Sequence, residues 1–331
     1  STLLAASGEA VGLLPGTVGN SEIGHMVIGA GRALPYDSLL VHRDIDSGRM
    51  RNNEQLNAVC GALTAADRAL HLVGLCSDGQ IHSHIDHLAE LLAVAAIRRV
   101  PRVWIHAVTD GRDVADGTAR LYLDRVARMT QQAGTGRIAS VSGRGYALDK
   151  AGDLALTARA ALAITDGEGV RITRVEDAVG DQGDEWVAPS VLTGEGGQAG
   201  APVQDGDAVL FFNFRSDRTQ QLADHVVEHC TATDRNVAIL SLAQYDTRAT
   251  IPALVARADA TDGLADVLAN AGLCSVRIAE SEKFEHVTYY INGRDGRSRD
   301  GEEHRRITAD STPDYRRHPE MHVDRVVDAV V

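Results

Sequence analysis

The sequence predicts an α/β fold, with mainly parallel sheets covered by helices. Three observations predict it. Short apolar runs alternate with segments of helical periodicity through most of the 331 residues, which is the pattern of βαβ units. Polar, chemistry-bearing residues follow the strand-like runs directly, the place where parallel sheets bind ligands. Apolar residues make up 44% of the chain and charged residues 24%, enough for a sizeable core and against disorder as the dominant state. The length suits one large domain or two medium ones.

In order along the chain, 52–70 (NNEQLNAVCGALTAADRAL) places Leu56, Val59, Cys60, Leu63 and Leu70 at helical spacing behind an Asn cap. The apolar run LHLVGL (70–75) follows, then a helix near 84–99, the strand-like RVWIHAV (102–108) and a helix over about 116–134. RIASVS (137–142), AVLFFNF (208–214) and VAILSLA (237–243) read as further strands, with a helix near 217–229. The stretch 178–206 is rich in Gly, Pro and Asp and reads as a long loop with at most a short strand. The charged, turn-rich stretch 292–318 reads as a surface excursion. No internal repeat is present.

Lys and Arg total 33 against 46 Asp and Glu, a formal charge of −13. That balance argues against a nucleic-acid or anionic-membrane binder, which needs a positive field. Cys60, Cys76, Cys230 and Cys274 form no C-x-x-C pair, so buried free thiols in a reducing compartment are expected. No apolar run is long enough to span a bilayer, and no basic-then-apolar leader opens the chain. A soluble, cytoplasmic monomer is the expectation. The chain opens on Ser1 and stops within the helical pattern VDRVVDAVV, ends that suggest a piece of something longer.

Four loops after strand-like runs carry the chemistry: CSDGQIHSHIDH, TDGRD, SGRGYALDK and RSDR. A parallel sheet would bring Asp78, His82, Arg112, Asp113, Arg144, Arg215 and Arg218 to one edge. Arginine forks match phosphate and carboxylate bidentately, so a small polyanionic ligand is predicted, against surface ion pairing as the plainer reading. The H-x-H-x-x-H of His82, His84 and His87 invites a metal reading. It ranks below substrate contact by His82 with structural roles for the other two. Near the start, Ser21 follows Gly19 and Asn20 at a helix N-terminus. The spacing favours an N-cap over a nucleophile whose phosphate the helix end would stabilise.

These blocks carry a resemblance. GNSEIGHMVIGAGR, LVGLCSDGQIHSHIDHL, HAVTDGRD, ASVSGR, FFNFRSDR and AESEKFEHVTYYINGR resemble the signature blocks of the cofactor-independent, 2,3-bisphosphoglycerate-independent phosphoglycerate mutases, in the family's order and over nearly the whole chain. The resemblance implies interconversion of 3-phosphoglycerate and 2-phosphoglycerate through a phosphoserine at Ser21, which would also contact metal. It implies that His82, Arg112, Asp113 and Arg144 hold the glycerate, with Asp113 a candidate acid or base. Arg215 and Arg218 would reach across the cleft, and Lys283 would offset phosphate charge. Two divalent ions, manganese or else magnesium, are implied, and no 2,3-bisphosphoglycerate.

The family's layout implies a complete inserted transferase domain over 37–261 and an alkaline-phosphatase-like domain, incomplete here, over 1–36 and 262–331. Only Ser21 among the expected metal contacts is present, so the chain by itself is expected to be inactive. In SGRGYALDK, Lys150 stands where the resemblance places a substrate-binding arginine, keeping the charge without the fork. Two alternatives therefore stay open: a paralogue acting on a related phospho- or phosphono-carboxylate, and an inactive fragment that only binds such anions.

Overall fold

A computed structural model describes residues 2–149, 152–194, 200–308 and 317–330. The chain divides into two units, Ser1–Leu39 with Ala258–Val331, and Leu40–Arg257. The first segment carries helix α1 (Ser21–Ala30) and the start of α2 (Asp37–Asp46). Asn20 is the N-cap of α1; its side-chain oxygen accepts from the Ile23 amide at 3.0 Å. Ser21 is thus the first helical residue and not the cap, contrary to what its spacing favours.

The larger unit runs α3 (Glu54–Ala65), β1 (Ala69–Leu75), α4 (Ile85–Ile97), β2 (Arg102–Thr109), α5 (Ala119–Ala133), β3 (Arg137–Gly143) and the short α6 (Arg144–Ala147). It continues through α7 (Leu154–Thr165), β4 (Val170–Ile172), β5 (Ser190–Leu192), β6 (Ala208–Phe211), α8 (Ser216–Ala232), β7 (Ala238–Ala243) and β8 (Ala253–Val255). The eight strands form one sheet in the order β4-β5-β3-β2-β1-β6-β7-β8. Every neighbouring pair is parallel except β3 with β5. The predicted fold class is what the structure has: a mostly parallel sheet with helices on it.

Alternation along the strands builds a core on each face. Leu70, Leu72, Leu210 and Phe212 join one cluster with Leu56, Cys60, Leu88, Leu91 and Val126 from α3, α4 and α5. Val73, Leu75, Val209 and Phe211 join the other with Ala160, Ile164, Leu222 and Val226 from α7 and α8. β1, at the centre, is buried along its whole length, as a strand paired on both edges and covered on both faces must be. Four polar side chains inside the sheet pair with one another. His71 meets His106 at 2.9 Å and Asp207 at 3.3 Å, and His106 meets Ser140 at 2.8 Å.

In the smaller unit, α9 (Leu264–Asn270), β9 (Ser275–Glu280), a π-helical turn (His286–Tyr290), β10 (Glu302–Ile307) and α10 (Val323–Val330) follow. β10 pairs parallel with β9, so part of the expected surface excursion is a strand. Its acceptance into a sheet comes from a partner 27 residues upstream that no local pattern names. The core here is small: Val11, Leu13, Ile23 and Tyr36 in one cluster, Met26, Ala30 and Leu34 in another. Val267, Leu273, Val276, Val327 and Val330 are exposed, and α10 buries none of its residues.

Cys60, Cys76 and Cys230 are buried free thiols, but Cys274, in the connection between α9 and β9, is exposed. Burial pushes the Cys76 thiol up to about 12 and the Cys60 thiol up to about 11. No helix among the described residues is long and apolar enough to cross a membrane.

Candidate functional site

In the larger unit, the carboxyl ends of β1, β2, β3 and β6 open into a cavity of about 410 Å³. It brings together His82, Arg112, Asp113, Arg144, Arg215 and Arg218, residues drawn from four separate loops. The loops are tied to one another: the His82 carbonyl accepts from the amides of Phe214 (2.9 Å) and Arg215 (3.2 Å). Asp78 does not take part. It turns to the Tyr122 hydroxyl and to Arg125, and so leaves the edge where its position in the sequence put it.

Asp110 anchors the β2 loop. Its buried carboxylate accepts from Ser77 Oγ (2.6 Å), the amides of Arg112 (3.1 Å) and Asp113 (2.9 Å), and Arg144 Nη1 (2.6 Å). The same Arg144 nitrogen lies 2.9 Å from Asp113 Oδ1. Arg144 is itself buried, so a buried guanidinium bridges two carboxylates, an arrangement that holds only because all three are paired. Burial raises the Asp113 carboxyl above its ordinary value, opposed by Arg144.

His82 lies 4.0 Å from Asp113 and 3.8 Å from Asp217. Burial first, then the charges of Arg215, Arg144, Arg218 and Arg112, depress its ring to about 2. At neutral pH it is an uncharged imidazole. His82 Nδ1 and Asp113 Oδ2 are both buried and make no hydrogen bond within the protein. Two such atoms, on residues that line a cavity, are hydrogen-bonding capacity that the described residues leave unused.

The arginines are not bare. Arg112 Nη1 donates to Glu185 (3.0 Å), Arg215 Nε to Asp217 (2.8 Å), and Arg218 Nε lies 3.5 Å from Asp217. Among the described residues, four arginines meet Asp113, Asp149 and Glu185 in the wall, with Asp110 and Asp217 behind it. Both signs of charge therefore line the pocket. A strongly polyanionic ligand, as the arginines alone suggest, would displace carboxylates to bind; a monoanion with hydroxyls would meet both signs.

The three histidines part company. His84 caps α4, its ring nitrogen accepting from the Asp86 amide at 3.2 Å. His87 is buried on α4 against Phe214, with its ring depressed to about 3 by burial. Only His82 lines the cavity, so the shared-metal reading of this motif fails on geometry: one ring caps, one packs, one faces the pocket.

In the smaller unit, Ser21 Oγ lies 2.9 Å from His286 Nε2. His25 Nδ1 meets the Ser21 carbonyl at 2.6 Å, and the two imidazoles stand edge to face at 5.2 Å. His286 comes from the π-helical turn, a feature that recurs at functional sites. α1 approaches that turn closely: a Cβ on Gly29 would lie 1.9 Å from the Ile291 carbonyl oxygen. Burial, then the charges of Lys283 and His25, lower the His286 pKa. Lys283 is exposed and precedes the turn, its carbonyl accepting from the His286 amide at 3.0 Å. Among the described residues no group of three or more His, Cys, Asp or Glu is placed to hold a metal ion. A hydroxyl and an imidazole do not make a divalent site. Lys150 lies outside the described residues.

Sequence reasoning missed Asp149, Glu185 and Trp186 in the pocket wall. The last two belong to a short 3₁₀ turn, Asp184–Trp186, inside the stretch read as a long loop. The one available signal was a tryptophan in a Gly/Asp-rich segment.

Comparison with known proteins gives four matches. The family model for the BPG-independent PGAM N-terminus (iPGM_N) matches residues 41–247. The 2,3-bisphosphoglycerate-independent phosphoglycerate mutase of Streptomyces coelicolor is 65% identical over 100% of this chain and 65% of its own length. That of Symbiobacterium thermophilum is 41% identical over 97% of this chain and 63% of its own. A solved structure of Leishmania mexicana phosphoglycerate mutase at low cobalt concentration matches with a TM-score of 0.80 and 27% identity, over 98% of this chain and 63% of that one. The chain thus spans under two thirds of the length of these relatives.

Proposed function

The chain belongs to the 2,3-bisphosphoglycerate-independent phosphoglycerate mutase family, and from that premise we propose that it is the substrate-holding part of an enzyme interconverting 3- and 2-phosphoglycerate in glycolysis and gluconeogenesis. The relatives' name carries the further reading that no 2,3-bisphosphoglycerate is needed. The larger unit acts as the transferase domain and the smaller one as part of a phosphatase-like domain.

One observation carries the reading. Six residues from four loops converge on a cavity lined by both signs of charge, and among the described residues buried His82 Nδ1 and Asp113 Oδ2 make no hydrogen bond. Glyceric acid fits that inventory: its carboxylate suits an arginine fork, and its hydroxyls suit Asp113 and the uncharged His82. Ser21 Oγ is the proposed acceptor. The phosphoryl group passes from one glycerate oxygen to Ser21, the glycerate turns within the pocket, and the phosphoryl group returns to the other hydroxyl. Bond formation to Ser21 releases its proton, which the vacated glycerate oxygen takes up; the return step reverses this. Arg215, Arg218 and Lys283 offset phosphate charge, a preorganised electrostatic contribution of the kind phosphoryl transfer depends on. The family's divalent ions, manganese or magnesium, are part of the proposal for the complete protein; the described residues do not assemble such a site. The 331-residue chain alone is proposed to bind without turning over.

The test has two parts. Calorimetric titration of this chain should show D-glycerate binding at the pocket, lost in Arg144→Met. In the full-length reading frame, Ser21→Ala should abolish both mutase activity and the acid-stable phosphoenzyme. A phosphoenzyme that survives the substitution would move the acceptor elsewhere.

A further inference from the structure

The turn Asp184–Trp186 is locked into the pocket wall. The buried Asp184 carboxylate accepts from the Ala119 amide at the start of α5 (2.9 Å). Its amide donates to Asp116 (2.7 Å), and its carbonyl accepts from Thr109 Oγ1 (2.7 Å). Just past the turn, the Val187 carbonyl accepts from the Gly143 amide at 2.7 Å, with Val187 fully buried. The backbone on both sides of Glu185 and Trp186 is therefore fixed, and both side chains line the cavity.

Trp186 lies directly on Gly145. A Cβ there would sit 2.7 Å from Cε3 and 2.8 Å from Cζ3 of the indole, so only glycine lets the ring approach this closely. Tyr146 meets the ring edge-on at 6.0 Å. With Leu148, the indole gives the cavity an apolar wall among charged lining residues. Glu185, beside it, takes the Arg112 fork through Nη1.

We propose that this turn is the specificity element of the pocket: Trp186 sets the size of the hydroxy acid admitted, and Glu185 positions Arg112. The inference rests on the glycerate reading above. A three-carbon acid presents carbon-bound hydrogens to the indole. A fourth, hydroxylated carbon would press a polar group against it with no partner, and losing a hydrogen bond on desolvation is costly.

The test titrates the 331-residue chain with D-glycerate and with its four-carbon homologue D-erythronate, by calorimetry and by tryptophan emission. Of the two tryptophans, Trp104 lines a different cavity, where β2 starts. Glycerate should change the emission of the unmodified chain, and Trp186→Phe should still bind while losing that change. Trp186→Ala should lower the preference for glycerate over erythronate by about tenfold or more, the range one carbon commands in a shaped pocket. Glu185→Gln should weaken both acids alike and leave the preference unchanged. Trp186 is nearly half exposed, so denaturant curves should show the variants folded. An unchanged preference in Trp186→Ala, or emission blind to saturating glycerate, overturns the proposal and leaves the glycerate reading standing. If the unmodified chain binds neither acid, both fall.

Discussion

The two units hold their polar residues in different ways. In the larger one an eight-stranded sheet with a core on each face supports the pocket. Its centre is buried: Arg144 joins Asp110 and Asp113, with Asp110 gathering four donors, while Arg112, Arg215 and Arg218 meet the half-buried Glu185 and Asp217. In the smaller one the described residues form a two-stranded sheet and two small clusters, and the Ser21 hydroxyl meets His286, while aliphatic side chains on α9, β9 and α10 face solvent. The difference teaches that a binding pocket needs depth of packing beneath it, because paired charges survive burial only where every partner is fixed. A hydroxyl at a helix start needs far less support, since the backbone positions it.

The largest expected effect breaks the pocket's charge ladder. Arg144→Met leaves Asp110 buried against its remaining donors and Asp113 without its cation. Removing one member of a buried pair costs roughly 3–5 kcal/mol. Urea unfolding followed by tryptophan emission reads this unit alone, because Trp104 and Trp186 both lie within Leu40–Arg257. The added change Asp110→Asn should restore much of the loss. If the single variant unfolds like the unmodified chain, the ladder is ornamental to stability.

Acid sharpens the same comparison in the opposite direction. His82 (about 2), His87 (about 3) and His106 (well below the ordinary imidazole value) are all held neutral by burial in the larger unit. Their folded pKa values lie below the unfolded value near 6.5, so the unfolded chain takes up protons first. Their contribution is fully present above pH 6.5 and is lost progressively as pH falls below it. Three such groups amount to about 4 kcal/mol between pH 7.5 and 5.5. Asp113, with its raised pKa, works weakly the other way at lower pH. The better-packed unit should therefore lose stability steeply on mild acidification, measured as a falling urea midpoint. A midpoint unmoved between those pH values would mean that these rings are charged in the fold.

Much of this was legible beforehand, for reasons that differ by residue. β1, β2, β3, β6 and β7 announced themselves because central parallel strands are apolar throughout, and Arg112, Asp113, Arg144, Arg215 and Arg218 because they follow such strands at once. Glu185 and Trp186 were hidden because their place is set by distant partners, Thr109, Asp116, Ala119 and Gly143, none of which leaves a mark near residue 185. β10 was hidden likewise: EEHRRI has the composition of a solvated loop, and only pairing with β9 makes it a strand. Asp110, Asp217 and Glu185 changed the meaning of the arginines, since a count of cations in sequence says nothing about the carboxylates folded against them.

The smallest expected effect separates capping from chemistry. Asn20 and Asn53 cap α1 and α3 with near-identical geometry, each side-chain oxygen accepting an amide three residues on, at 3.0 and 2.9 Å. Asn53 also donates to the Leu254 carbonyl at 2.9 Å; among the described residues the Asn20 side chain makes only the cap bond. Replacing either by Ala should cost about 1 kcal/mol for the cap, with Asn53→Ala losing up to about 1 kcal/mol more for its second bond. Hydrogen exchange of the α1 amides reads the first, and tryptophan-detected unfolding the second. Ser21→Ala, one residue on from Asn20, should leave α1 exchange within about 0.5 kcal/mol of the unmodified chain, because it removes no cap. If Ser21→Ala loosens α1 as much as Asn20→Ala does, the serine is serving the helix, and its hydroxyl is no longer spare for a phosphoryl group.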